Sequence, residues 1–255
     1  MSDTGADHAE RAERILDAAG GLILRWGYQR VTMQDVARTA GVGKGTLYLH
    51  WRTRESLFVA VLLRESIAMV DALLDRMRAD PEVVLLHRMQ RVCFEVVLDR
   101  PLLRAVYSGD GELLGNLARH ASTMDEGRQD AFLRSYLARL REHGLVRADT
   151  DLDDQAYAVN CVITGFNLTG PVTADDVPAS DARRARALAN TLRAAFEPDR
   201  RPDARVLRQL APRVIADLEE LRDAHARHRF GDRRPDSPLG STTPSTTDTT
   251  AGTAR

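Results

Sequence analysis

The chain has 255 residues, 43% of them hydrophobic and 5% aromatic, and its formal net charge is −1 at pH 7. A chain of this length and composition can bury a sizeable core, and we expect one small and one larger globular domain. No apolar run approaches the roughly 20 residues that cross a bilayer. The acidic, polar start is also unlike a secretory signal. We therefore expect a cytoplasmic protein without a membrane segment.

Apolar residues recur with helical spacing over nearly all of residues 9–228, and no segment alternates as a strand would. The pattern predicts an all-α fold with a flexible N-terminus at 1–8 and a three-helix domain at 9–58. A larger helical domain follows at 59–230. The last residues, 231–255, are rich in Ser, Thr, Pro and Gly, which is typical of a disordered tail.

The first predicted helix ends at Gly27 and has one apolar face, which can support the two helices that follow. That face consists of Ile15, Ala19, Leu22, Ile23 and Trp26.

The second predicted helix is short and has clear start and stop signals. Thr32 can cap it, with Asp35 at the third helical position reaching back to complete a capping box. Gly41 can end it, because glycine tolerates a left-handed backbone. The face that we expect to be buried consists of Met33, Val36, Ala37 and Ala40.

A third helix is predicted from about Lys44 to His50, with Val42, Leu47 and Trp51 turned inward. Two short helices set across a glycine turn are the pattern of a DNA-reading helix-turn-helix, whose second helix enters the major groove. The outward side and edges would consist of Lys44, Gly45, Thr46, Tyr48, Leu49 and His50.

Positive charge is concentrated around this segment. Six basic side chains and one acidic side chain lie between residues 25 and 54, although the whole chain is at −1. Lys44 is the single lysine among 36 basic residues. Clustered positive charge is what a phosphate backbone attracts.

Several short motifs occur together at the positions that a known family uses. They are Ala-Gly-Val at 40–42, Gly-Thr-Leu-Tyr at 45–48, His50 with Trp51, and Arg54-Glu55 leading into Leu57-Phe58. With these motifs, residues 15–58 resemble the DNA-binding domain of the TetR/AcrR family of bacterial transcriptional regulators. Beyond them, only the all-helical pattern and the length agree with the family.

The resemblance implies that Lys44, Gly45, Thr46 and Leu49 reach the bases, with Gln34 of the preceding helix as a further candidate. Lys44 can donate to guanine O6 or N7, and Thr46 can offer a hydroxyl or pack its methyl on thymine. Gly45 lets the helix start approach the bases closely, whereas Leu49 can make only apolar contacts. Gln34 can equally be a solvated surface residue.

Phosphate contacts are expected from Thr32, Tyr48, His50 and Arg54. Such contacts fix the register of a protein on DNA without reading its sequence. The backbone amides at the start of the helix that follows Thr53 would add to them. Alternatively, Tyr48 can be a rim aromatic and His50 a neutral histidine at a helix end.

The helix that Thr53 caps runs from about Arg54 to Met77, so it leaves the small domain and enters the larger one. A rigid helix shared by two domains can couple them. The further predicted helices cover 81–99, a short segment from 101, 113–120, 124–143, 151–169, 181–196 and a last stretch that ends near 228.

In the resembled family the larger domain holds an inducer pocket and forms a homodimer through late helices. Apolar and aromatic side chains on the middle helices are candidates for such a pocket, although residues at helical spacing can also be ordinary core. They are Met69, Leu73, Met77, Met89, Phe94, Tyr107, Phe132 and Tyr136.

The most apolar predicted helix carries a polar stripe of Asn160, Thr164 and Asn167, spaced by four and three residues. Buried amides need hydrogen-bond partners. These can be a ligand, the symmetry-related helix of a dimer, or a neighbouring helix of the same subunit.

Chemistry beyond binding is not indicated. Cys93 and Cys161 lie on apolar helices without a CxxC or His/Cys cluster, which favours free buried thiols over a disulfide or a metal site. The glycines around Lys44 lack the spacing of a nucleotide-binding loop. No serine, cysteine or carboxylate arrangement indicates catalysis. We therefore expect no cofactor and no enzyme activity.

Together these features predict a ligand-responsive regulator of transcription. In the resembled family such a protein is usually a repressor that binds a palindromic operator as a homodimer and is released by a small molecule. The alternative is a helical protein-interaction or enzymatic module whose first domain is a relic.

Overall fold

A computed structural model describes residues 3–117, 128–172 and 180–229. Within these ranges the chain forms α-helices, two short 3-10 helices and no strand, which confirms the all-α prediction. The 3-10 helices are Tyr28–Arg30 and Pro81–Val84. The α-helices are α1 (Asp3–Trp26), α2 (Met33–Ala40), α3 (Lys44–His50), α4 (Arg54–Ala79), α5 (Leu86–Asp99), α6 (Pro101–Tyr107), α7 (Gly111–Leu114), α8 (Arg128–Glu142), α9 (Leu152–Val172), α10 (Asp181–Phe196) and α11 (Ala204–Arg229).

Helix α1 differs from its prediction at both ends. It begins at Asp3, so residues 3–8 are helical where a flexible segment was predicted. At the other end, Trp26 is 42% exposed and does not belong to the buried stripe, because it is the last residue of the helix. Gly27 then turns the chain with φ 74°, and a side chain there would crowd the carbonyl of Glu112.

The local signals around α2 act as predicted. The Thr32 hydroxyl accepts a hydrogen bond from the Asp35 amide at 3.2 Å, and the Thr32 amide donates back to the Asp35 carboxylate at 3.1 Å. This reciprocal pair satisfies two amides that the first helical turn leaves without partners. Gly41 ends the helix in the left-handed conformation, with φ 65° and ψ 33°.

Helix α4 contributes to two separate hydrophobic cores. Its first half, from Leu57 to Leu63, packs with α1, α2 and α3, and residues of α6 and α7 join the same core. Its second half, from Val70 to Met77, packs with α5, α8, α10 and α11. The helix is therefore continuous between the two cores, as its predicted length required.

The later helices follow the predicted pattern with changed ends. Residues 81–99 form a 3-10 turn and then α5, because Leu85 between them is extended. The segment predicted as 113–120 is a single turn, α7, and its last residues lie outside the described ranges. Helix α9 runs on to Val172, past the Gly-Pro pair that was expected to end it. The predicted helix start at 124 and the tail beyond 230 are also outside the described ranges.

Helices α4 and α11 lie side by side and are joined by ion pairs. Arg222 of α11 contacts Asp71 of α4 at 2.5 Å, and Arg78 of α4 contacts Glu219 of α11 at 2.6 Å. Exposed pairs of this kind add little stability alone, so the apolar contacts between the helices hold the pair together. None of the described helices combines the length and apolar character that crossing a bilayer requires.

Candidate nucleic-acid interface and ligand cavity

Most of the outer side of α3 is open to solvent. Lys44, Gly45 and Tyr48 are exposed, and Leu49 is 76% exposed although it is apolar. On the opposite side Leu47 is fully buried and holds the helix on the core. The predicted division of α3 into an inner and an outer face is therefore correct for these residues.

The start of α3 can approach another molecule closely. A side-chain carbon added at Gly45 would meet no atom within 4 Å. The ammonium of Lys44 lies 5.9 Å from the centre of the Tyr48 ring, so the two side chains share one face. Thr46 is half-buried at the edge of this face.

Gln34 and Thr32 lie at and near the start of α2, and both are exposed. The Thr32 hydroxyl donates to Asp35 at 2.6 Å, so it is committed to the helix cap before any phosphate arrives. This hydrogen bond holds the pKa of the Asp35 carboxyl below its usual value, with a further contribution from Arg38.

His50 is not on the outer face, contrary to its prediction. It is 8% exposed, and its ring stacks on His8 of α1 at a centroid distance of 4.0 Å. The neighbouring Trp51 ring is 5.4 Å away. The reason is the long start of α1, which the sequence did not indicate and which covers the end of α3.

Arg54 also turns inward. Its Nε donates to the carbonyl of Val31 at 2.8 Å, and its Nη2 donates to the carbonyl of Tyr28. The guanidinium lies 3.9 Å from the centre of the Tyr28 ring. Arg54 thus ties the start of α4 to the segment between α1 and α2. The local sequence gives no signal that distinguishes an arginine bound to backbone carbonyls from one that binds phosphate.

The last helix reaches the small domain as well. The indole nitrogen of Trp51, directly after α3, donates to the backbone carbonyl of Arg229 at 3.1 Å. The guanidinium of Arg229 forms an ion pair with Glu13 of α1. These partners are far apart in the chain, so no sequence pattern could have indicated the contact.

A cavity of about 140 Å³ lies inside the larger domain, where α4, α5, α8, α9 and α11 meet. Most of the predicted pocket residues line it. They are Met69, Leu73, Met89, Phe94, Tyr107, Phe132, Asn160 and Asn167.

Three predicted residues lie elsewhere. Tyr136 is buried beside the cavity, where its hydroxyl donates to the carbonyl of Val84 at 2.8 Å and is therefore already used. Burial raises the pKa of this phenol. Met77 belongs to the packed core, and Thr164 is exposed on the outside of α9. The polar stripe on α9 is thus divided between the cavity and the surface.

The cavity also has polar side chains that the sequence analysis missed, namely Ser66, Gln90, Cys93 and His225. Burial raises the pKa of the Cys93 thiol to about 12, so this group is neutral near pH 7. Both cysteines are free, but Cys161 is exposed and not buried as predicted. Isolated polar residues on apolar helices gave no signal until the fold brought them together.

Residues 15–61, which include α2, α3 and the start of α4, match the sequence model described as bacterial regulatory proteins, tetR family. These residues therefore form a tetR-family domain. Over 56 residues it is 45% identical to the HTH-type transcriptional repressor KstR of Rhodococcus jostii, which covers 22% of this chain and 26% of that protein. Over 62 residues it is 36% identical to an uncharacterized HTH-type transcriptional regulator of Mycobacterium tuberculosis, covering 24% of this chain and 33% of that protein. The matches thus span a third or less of these curated relatives.

The solved structures extend the likeness in fold to the larger domain. A regulator from Mesorhizobium loti superposes with a TM-score of 0.55 at 20% identity, covering 75% of this chain and 98% of that one. A regulator from Saccharomonospora viridis in complex with choline superposes with a TM-score of 0.53 at 22% identity, covering 74% of this chain and 99% of that one. At this identity the likeness shows the fold.

We predict that Arg54→Lys destabilises the tetR-family domain by roughly 1 to 3 kcal/mol, because one ammonium cannot donate to both carbonyls or stack as a guanidinium does. Urea unfolding followed by circular dichroism measures the change. Arg52→Lys is the matched control, since Arg52 is exposed two residues earlier. Equal stability of the two variants would contradict the anchoring role of Arg54.

Proposed function

We propose that the chain is a transcriptional repressor that binds a palindromic operator as a homodimer and is released by a small molecule. The observation that carries the proposal is the outer face of α3. There, Lys44, Gly45, Tyr48 and Leu49 lie together on a short helix that a buried core holds from behind. This is the arrangement of a recognition helix in a major groove.

The contacts follow from the exposed groups. Lys44 would donate to guanine O6 or N7, and Gly45 would let the helix start come close to the base edges. Leu49 would pack on a thymine methyl or a sugar. Tyr48 would bind a phosphate through its hydroxyl and thereby fix the register. Gln34, Thr32 and the half-buried Thr46 lie at the edge of this surface and would add contacts.

His50 and Arg54 take a different part in this proposal. Both side chains are used inside the domain, so we propose that they position α3 and the start of α4 and do not bind phosphate themselves. In the α4 capping box the Ser56 amide donates to the Thr53 hydroxyl at 3.0 Å. The other amides of the first turn of α4 can still donate hydrogen bonds to a phosphate oxygen.

A second copy of the chain would pack on the outer side of α9. This side exposes Tyr157 at 74% and Leu168 at 43%, with Cys161 and Thr164 between them at helical spacing. Large apolar side chains such as Tyr157 and Leu168 are unfavourable in water, and a two-fold axis would cover them with a second copy of the same surface. Two recognition helices could then enter successive major grooves about 34 to 36 Å apart.

Release by a ligand would use two helices that connect the cavity to the DNA-reading domain. Helix α4 lines the cavity at Ser66, Met69 and Leu73 and begins beside α3. Helix α11 lines it at Leu218 and ends against Trp51. A ligand shifts the spacing of the recognition helices only as far as it binds one spacing better than the other.

The transcriptional regulator from Saccharomonospora viridis in complex with choline shares this fold, which supports a binding role for the larger domain. The alternative remains a helical interaction or enzymatic module with a relic DNA-binding domain. The two differ in one observable property, which is the preference of the protein for one DNA sequence over others.

We predict that Lys44→Ala weakens binding to the preferred site by roughly 1 to 3 kcal/mol and relaxes the preference at one base pair. Tyr48→Phe should weaken binding to all sequences by a similar factor, because it removes a phosphate contact. Fluorescence anisotropy with duplexes selected from a random pool measures both effects. Arg208→Ala, an exposed arginine of α11, is the control.

Binding should also weaken steeply as the salt concentration rises, because phosphate contacts release counterions. If the wild-type protein shows no preference over scrambled duplexes, and neither Lys44→Ala nor Tyr48→Phe changes its binding, the relic interpretation replaces the proposal.

We predict that Tyr157→Arg converts the dimer to a monomer, because it places two guanidinium groups near the two-fold axis. Light scattering after size exclusion measures the mass. The matched control is Leu24→Arg, since Leu24 is 41% exposed on α1, away from α9. A wild-type monomer, or a dimer that persists in Tyr157→Arg, would show that α9 is not the interface.

We predict that Trp51→Phe speeds amide exchange in α3 and at the end of α11 by about fivefold, as expected for loss of a hydrogen bond worth about 1 kcal/mol. Arg229→Ala should do the same by removing the ion pair with Glu13. Hydrogen exchange with mass spectrometry makes the measurement, and Arg227→Ala, which is exposed, serves as the control. Unchanged exchange in α3 would rule out the α11 route.

A further inference from the structure

We propose that the cavity between α4, α5, α8, α9 and α11 binds an uncharged, mainly apolar molecule that exchanges hydrogen bonds with the side-chain amide of Gln90. The proposal rests on the ligand response proposed above and specifies the chemical class of the ligand. Three properties of the cavity lead to it: its described lining contains no Asp, Glu, Lys or Arg, the amide of Gln90 faces it, and its volume is small.

No Asp, Glu, Lys or Arg is among the described residues that line the cavity. Arg184 lies 5.5 Å from the centre of the lining Phe94 ring, but its guanidinium is near Asp181, at 3.4 Å. The Cys93 thiol is neutral, because burial raises its pKa to about 12. A charged ligand would lose its hydration without gaining a partner of opposite charge, which is strongly unfavourable.

The Gln90 side chain is a polar group that the fold leaves available to a ligand. It is 8% exposed, lines the cavity, and has no hydrogen bond to any side chain or backbone group in the described part of the chain. An amide both donates and accepts. Leaving an amide unpaired in apolar surroundings is unfavourable, so a ligand with an amide, carbonyl or hydroxyl group gains from pairing with it.

Asn167 offers a second polar contact, but only as a hydrogen-bond acceptor. Its Nδ2 donates to the carbonyl of Ile163 at 2.9 Å, one turn earlier in α9. The amide hydrogen bond fixes the side chain, and the oxygen remains as an acceptor. A ligand that carries a donor near its polar end can therefore bind Gln90 and Asn167 together, while its apolar part contacts Met69, Leu73 and Phe94.

The volume limits the size of the ligand. A cavity of about 140 Å³ is close to the roughly 150 Å³ that holds a benzene molecule in an engineered apolar site. The cavity as it stands therefore accepts a single ring or a short chain with one polar group.

Benzamide and benzoate test the class, because they have the same shape and differ in charge. Because the imidazole of His225 lines the cavity, the calorimetric titration is made at about pH 8, above the ordinary pKa of imidazole near 6.5. It should show benzamide bound at least tenfold more tightly than benzoate. Ethylbenzene, which is apolar and of similar size, should bind more weakly than benzamide to the wild-type protein.

The variant Gln90→Leu tests the residue, because leucine is of similar size and has no amide. It should lose about tenfold in affinity for benzamide and gain affinity for ethylbenzene. Gln209→Leu, at an exposed glutamine of α11 outside the cavity, should leave both affinities unchanged. Circular dichroism and thermal unfolding confirm that both variants are folded.

The proposal is overturned if benzoate binds as tightly as benzamide, if Gln90→Leu keeps the wild-type affinity for benzamide, or if none of the three compounds binds. The operator affinity of the ligand-free protein is measured separately. A protein that binds benzamide as expected but shows no sequence preference on DNA would refute the proposed regulation while the ligand class stands.

Discussion

The burial of one helix in two cores is the constraint on which the other features depend. The first half of α4 completes the core beneath α3, and its second half forms a wall of the cavity. Side chains in close-packed cores cannot shift freely, because even a small displacement loses van der Waals contacts with the neighbouring atoms. In the proposed regulation, a change in the cavity wall would be transmitted along α4, and the binding of a small molecule would thereby be coupled to the position of α3.

The proposed DNA-reading surface is made of few groups because most polar side chains near it are already engaged. Asp35 caps α2 through Thr32, Arg54 holds the chain before α2, and His50 stacks under α1. These contacts fix the direction in which α3 presents its outer face. Lys44 and Tyr48 then offer the groups that remain for bases and phosphates, which is a small set on a rigidly held helix.

Helix α11 adds a second connection between the domains. It packs along α4 by apolar contacts and by the pairs with Asp71 and Arg78, and it ends at Trp51. Because α4 and α11 both line the cavity, a ligand between them contacts both connections at once. In the proposal above, the described lining, which contains no Asp, Glu, Lys or Arg, and the amide of Gln90 would select the molecules that can use this route.

Local patterns were enough to predict α2, α3, the capping box at Thr32 and the turn at Gly41, since caps, turns and apolar spacing are local properties. Most of the residues named from the sequence as pocket candidates also line the cavity. The fold was needed to show that His50 and Arg54 point inward, that Tyr136 bonds to a carbonyl, and that Gln90 enters the cavity. Each of these depends on partners distant in the chain, and side chains of one type serve as surface, core or site according to what the fold packs against them.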